Sequence, residues 1–176
     1  LLLCYKMMNP SISDSDVFTA LRSFLQYLFP NVEIIQSQQN RNPPPKGVFI
    51  AMNNVGKRRL ATNWRTYTKT EEQKTQNTVM PTEYTIQVDF YGKQSGERAQ
   101  VFCALFFDYT GSDAFPKNIR PLYVTDPVQL PLITGEKQFL ERWKTEVKIQ
   151  FNPVISTPME FFDRVSISLI PVPLEE

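Results

Sequence analysis

The sequence predicts an α+β domain: a mainly antiparallel sheet, about two helices packed on one of its faces, and a projecting polar hairpin or arm. Three observations carry this. Helical-period apolar stripes occur in two places, around Asp16–Pro30 and Ser95–Asp108. The strand-like runs between and after them follow one another without a repeated strand–helix–strand pattern, as in antiparallel sheets. Residues 57–78 are polar and threonine-rich, too long for an ordinary loop inside a compact domain.

The length of 176 residues fits one domain with a sizeable core. We place that domain at 14–171, with a flexible segment at 1–13 and a short tail at 172–176. Met7 or Met8 would make a natural initiator, so residues 1–6 read as upstream of the native start. A composition of 41% hydrophobic and 21% charged residues argues against disorder. Leu1–Leu3 is too short for a signal-peptide core or a membrane span.

The first helix has Ser13 or Ser15 as its cap, with Asp14 and Asp16 at its positive end. Val17, Leu21, Phe24, Leu25 and Leu28 form its core stripe, Phe18 and Tyr27 lie partly off it, and Pro30 ends it. Val32–Gln36 reads as a short strand. Ser37–Lys46 ends in three prolines and reads as a loop. Gly47 opens a second strand, with Val48, Ile50 and Met52 on one face, and Asn53, Asn54 and Gly56 supply turn chemistry.

The polar stretch that follows reads as a projecting hairpin or mobile arm with its tip near Lys69–Lys74. The competing reading is a plain surface loop. Pro81–Gly92 is the clearest strand: Tyr84, Ile86, Val88 and Phe90 point one way, Thr85, Gln87, Asp89 and Tyr91 the other. The second helix, about Ser95–Asp108, has Ala99, Phe102, Cys103 and Phe106 as its stripe. Val101, Leu105 and Phe107 make its far end apolar nearly all round, so that end needs covering.

Asp113–Pro131 reads as turns because of its prolines. A long strand then runs from about Gln138 to Phe151. Trp143, Thr145, Val147, Ile149 and Phe151 face inward, while Arg142, Lys144, Glu146, Lys148 and Gln150 face water. Val165–Ile170 reads as a last strand. Trp143, Val147, Ile149, Tyr84, Ile86 and Val88 are expected to share one core with Leu21 and Leu25.

Chemistry is sparse. The absence of histidine removes the commonest general base and metal ligand, and with them the histidine-dependent nucleophile systems. Cys4 and Cys103 lie far apart, which disfavours a disulfide and a zinc site and suits a reduced, cytosolic setting. No phosphate-cradling glycine loop, paired-cysteine motif or metalloprotease helix is present. Net charge is +1, so no global field recruits nucleic acid.

Two local patterns each fit a chemistry and a plain surface alike. Glu146-Val147-Lys148 with Asp89 fits a metal-dependent nuclease, in which two acids hold Mg²⁺ and the lysine steadies a water. The plain reading is a charged, solvated strand face. Lys57-Arg58-Arg59 with Trp64 and Arg65 fits a phosphate contact, against the plain reading of a solvated edge. Neither pattern supports an enzyme, and no catalytic, cofactor or metal residue is assigned.

Three stretches carry a family likeness: QQNRNPPPKG at Gln38–Gly47, PTEYTIQVDFYG at Pro81–Gly92, and DPVQLPLITGEKQFLERW at Asp126–Trp143. DVFTALRSFLQYLFP at Asp16–Pro30, RLATN at Arg59–Asn63 and the run Gln150-Phe151-Asn152-Pro153 add to it. In this order and spacing they resemble a bacteriophage and prophage family of neck or tail-terminator proteins, over about Asp14–Leu169. The likeness rests on many ordinary residues, and no functional residue carries over from it.

The resemblance implies a structural virion protein that forms a homo-oligomeric ring, a hexamer by analogy, at the head–tail junction. Its implied partners are the tail tube protein, a sheath where one exists, and the head–tail connector. Genomic DNA would pass through the lumen without sequence-specific binding, no cofactor or membrane is involved, and assembly would take place in the host cytoplasm. The alternatives are another connector of the same virion, a generic binding module or the nuclease. Arg58, Arg59, Trp64 and Tyr67 are the expected subunit contacts, because arginine and large aromatics are enriched at interface anchors.

Overall fold

A computed structural model describes residues 8–37, 45, 47–70, 74–130, 132–133 and 139–159. Residues 1–6, most of the Ser37–Lys46 loop, the centre of the expected hairpin tip, Gly135 and the expected strand Val165–Ile170 lie outside the described residues.

Helix α1 spans Asp14–Leu28. Ser13 caps it, its hydroxyl oxygen accepting from the Asp16 backbone N–H while the Asp16 carboxylate accepts from the Ser13 N–H. Val17, Leu21, Phe24 and Leu25 are buried as the stripe requires. Phe18, off that stripe, is buried as well, edge-on to Tyr84. Tyr27 is exposed. Ahead of the helix, Ile12 joins the core, and Ser11 exchanges hydrogen bonds with Val154.

Strand β1 (Glu33–Gln36) pairs in parallel with β2 (Phe49–Arg59), and β2 is antiparallel to β5 (Thr82–Tyr91). The expected turn at Asn53–Gly56 is not one. These residues continue β2, and the irregularity they create is a bulge at Val55, between the pairs Asn54↔Ile86 and Gly56↔Thr85. The extra residue flips the side-chain parity of everything beyond it. Ile50 and Met52 therefore share the core face with Phe90 and Val88 before the bulge, and Lys57 shares it with Tyr84 after it. Lys57 sits over the Tyr84 ring and pairs with Asp14 of α1. Val48, expected on the core face, lies outside the strand and is exposed.

The polar stretch forms a hairpin, β3 (Trp64–Lys69) and β4 (Lys74–Val79), with Lys69 opposite Lys74. A strand not anticipated from the sequence, β11 (Val154–Pro158), pairs with β4 and completes a three-stranded sheet in the order β11-β4-β3. Helix α2 spans Ser95–Phe106, entered through Gln94 in the left-handed region. Short α3 (Tyr109–Ala114) packs against it. A Cβ at Gly111 would run into the Phe106 carbonyl oxygen, so this close approach requires glycine.

The span read as turns from its prolines holds α3 and two strands, β6 (Ile119–Val124) and β7 (Val128–Gln129). Both strands pair with β10 (Arg142–Phe151). Pro121 is tolerated because β6 is the edge of the main sheet, ordered β1-β2-β5-β10-β6, where no further ladder donor is needed. The long strand β10 begins at Arg142 and not at Gln138: two two-residue strands, β8 (Leu132–Ile133) and β9 (Phe139–Leu140), pair with each other before it.

The core lies between this sheet and the helices. Tyr84, Ile86, Val88, Val147 and Ile149 meet Leu21, Leu25, Phe102 and Phe106 there, and Trp143 packs on its margin. The fold is thus α+β, with both long helices on one face of a mostly antiparallel sheet.

Candidate functional site

The outer face of the main sheet tests the nuclease reading. Asp89, expected to meet water, is fully buried. Its Oδ1 accepts from Arg142 Nε at 3.1 Å and Nη2 at 3.0 Å, and its Oδ2 from Asn53 at 2.8 Å and Gln87 at 2.7 Å. Four donors occupy both oxygens, and the guanidinium supplies the balancing charge. Burial, with the nearby Asp89 charge, pushes the phenol of neighbouring Tyr91 up, partly offset by Arg142.

Lys148 reaches Glu83 at 3.5 Å, and Glu146 pairs with Lys144 at 2.8 Å. Glu83 is itself buried and also takes Arg58. The charges of this face are half-buried and engaged with one another, not solvated as the alternation implied. The acid–lysine pair and Asp89 belong to separate networks.

The four expected contact residues lie around the hairpin end of the sheet. Arg58 pairs with Glu83 at 3.2 Å while most of its side chain is exposed. Arg59, its neighbour on β2, is exposed opposite Thr82. Trp64 and Tyr67 are 46% and 58% exposed. Alternation along β3 puts these two rings on opposite faces of the hairpin, so the structure does not gather the four on one surface. Trp64 shares a face with Thr66 and Thr68. Tyr67 shares its face with Arg65 and Lys69, and with Lys74 across the hairpin.

At the opposite end of β5 and β10 lies a groove of about 950 Å³ that the sequence did not reveal. Its walls are α2, the end of β6 and the start of β10. Phe107, Tyr123 and Trp143 supply apolar surface, and Glu97, Asp126 and Glu141 supply charge. Gly96 brings α2 close to the tryptophan, as a Cβ there would meet the indole at 3.0 Å. The indole N–H donates to Glu141 at 3.1 Å.

Cys103 also lines this groove and is a free thiol. Burial pushes its pKa up, so it is a poor nucleophile. The only sequence signal for the groove was the apolar end of the second helix: Phe107 and Val101 remain exposed there, as expected of a helix end that needs a cover.

The described residues therefore present two structured polar–aromatic surfaces, hairpin and groove, at the two ends of one sheet. No curated protein matches the chain. A family model described as phage neck terminator protein matches residues 15–171, nearly the whole chain. With that match over an α+β domain of the expected class, the chain belongs to the phage neck terminator protein family.

Proposed function

We propose that this neck protein assembles as a homohexameric ring that ends growth of the tail tube and gives the head–tail connector a docking surface. The tail tube, with a sheath where one exists, abuts one side. Genomic DNA passes through the lumen without base-specific contact, and assembly takes place in the host cytoplasm. Apart from family membership, the observation that carries the reading is strand β3. Every residue from Trp64 to Lys69 is exposed in the isolated subunit, although the strand is ordered and includes two large aromatics. Such a strand is an open edge, which proteins normally cover.

Arg58, Arg59, Trp64 and Tyr67 are the proposed subunit contacts. Strand β4 is the central strand of its sheet, so deleting it would disturb β11 as well. The cleaner variant is Trp64→Ala with Tyr67→Ala. On this reading the wild type sediments as a ring, whereas the variant stays folded, assembles poorly, and yields tails with abnormal ends. A wild type that remains monomeric at high concentration sinks the reading.

The proposed role is purely structural. Glu146→Gln and Lys148→Met are expected to leave virion assembly almost intact. Mg²⁺-dependent DNA cleavage by the wild type, lost in Glu146→Gln, would overturn it.

A further inference from the structure

Hairpin and groove are complementary in charge. Over the hairpin itself, residues 64–79, the sequence has three cations against two carboxylates. Arg65, Lys69 and Lys74 surround Tyr67 on one face of the hairpin, by the alternation and pairing of β3 and β4. The groove lining has Glu97, Asp126 and Glu141, with no basic residue. Neither Glu97 nor Asp126 has an ion pair among the described residues.

The two surfaces cannot satisfy each other within one subunit. The hairpin leaves the sheet where β2 ends and β5 begins, beside Phe151 at the end of β10. The groove lies beside Trp143, at that strand's start. Eight positions along β10, from Trp143 to Phe151, separate them, or about 26 Å at roughly 3.3 Å per residue.

We infer that the Arg65–Tyr67–Lys69 face of one subunit's hairpin docks in the Glu97–Asp126–Glu141 groove of the next copy. The inference rests on the ring reading above and specifies its contact. Complementary patches at opposite ends of one molecule make a head-to-tail contact, the kind that propagates and closes into a ring when the rotation per subunit allows. The contact covers Phe107 and Tyr123 and places Tyr67 against apolar walls. The cations meet carboxylates at the rim, where charges set register and partner choice.

A charge-swap experiment on the full chain tests this. Glu97→Lys with Asp126→Lys reverses the groove, and Arg65→Glu with Lys69→Glu reverses the hairpin. Sedimentation gives the assembly state, and circular dichroism and thermal melting check that each variant is folded. Each reversed pair alone is expected to raise the concentration needed for ring formation by about tenfold or more. Mixing the two variants should restore assembly through swapped contacts, and the quadruple variant should assemble by itself.

Rings of wild-type stability in either variant, or no recovery in the quadruple variant, overturn the contact while leaving the ring reading standing. A wild type that forms no ring removes the ring reading and the contact together. The basic face could instead meet a phosphate backbone. In that case Arg65→Glu with Lys69→Glu would abolish binding of a short DNA duplex and leave the rings unchanged, which also overturns the contact.

Discussion

Asp89 shows how far a single side chain's surroundings depend on strands distant in sequence. Its place on the polar side of β5 follows from simple alternation. Its burial does not, because the covering groups, Asn53 and Arg142, come from β2 and β10. Asp89→Ala would leave the partly buried Arg142 guanidinium without its anion, and is expected to cost about 2–4 kcal/mol. Denaturant unfolding measures this. A cost within experimental error would mean that the pair is replaceable by water.

Tyr84 gives a second prediction at this scale. Burial first, then the charge of Asp14 and a hydrogen bond to it, push its phenol from 10.0 up to about 12. The fold favours the neutral phenol. Its stabilising contribution is therefore complete below pH 10 and is lost as pH rises from 10 toward 12. Ultraviolet titration should show a tyrosine ionising near pH 12, with Tyr91, which is also pushed up, adding to the late part of the curve. In Tyr84→Phe the component near 12 should vanish, along with that part of the alkaline loss of stability.

Among elements, α1 was the most legible, because its cap and stripe are local. Ser13, one of the two candidate caps, closes the helix and forms a reciprocal box with Asp16. Hydrogen bonds from the Ser13 backbone and side chain hold the Asp16 carboxyl below its ordinary 3.8. A depressed carboxylate contributes stability above its unfolded pKa, and that contribution is lost as pH falls from there through the folded value. Ser13→Ala is expected to cost about 1 kcal/mol near neutral pH and to flatten this acid dependence. Urea melts at neutral pH and at pH values below 3.8 check both.

The elements that sequence reading missed share one cause. Gly56 and two asparagines look like a turn but make a bulge, because β5 offers a continuous ladder on either side of Val55. Pro121 looks like a breaker but sits in a strand, because that strand is an edge. Turn residues and prolines state only which backbone conformations are easy. Whether a neighbouring strand supplies partners is decided elsewhere in the chain.

For the whole molecule, the two sheets differ in how much they bury. Along β5 the core-facing positions are fully buried, whereas β3 is exposed throughout. In the isolated subunit, backbone amides of Trp64–Lys69 are expected to exchange with solvent much faster than those of Thr82–Tyr91. Assembly should slow the hairpin amides selectively if the hairpin is a contact. Equal exchange in subunit and assembly would place the contact elsewhere.

The amino-acid sequence by itself determined the α+β class, the two long helices and their inward faces, the Tyr84–Phe90 and Val147–Phe151 alternations and the family likeness. Each of these is written in local spacing, in periods of two or nearly four residues, or in short runs that keep their order. Only the tertiary structure decided that Asp89 is buried and saturated. It alone set an acidic aromatic groove at the far end of the sheet from a basic hairpin. Those facts depend on register, on one bulge and on which strand lies next to which. Such long-range pairings are set by the burial of the whole core and leave no periodic mark in the chain.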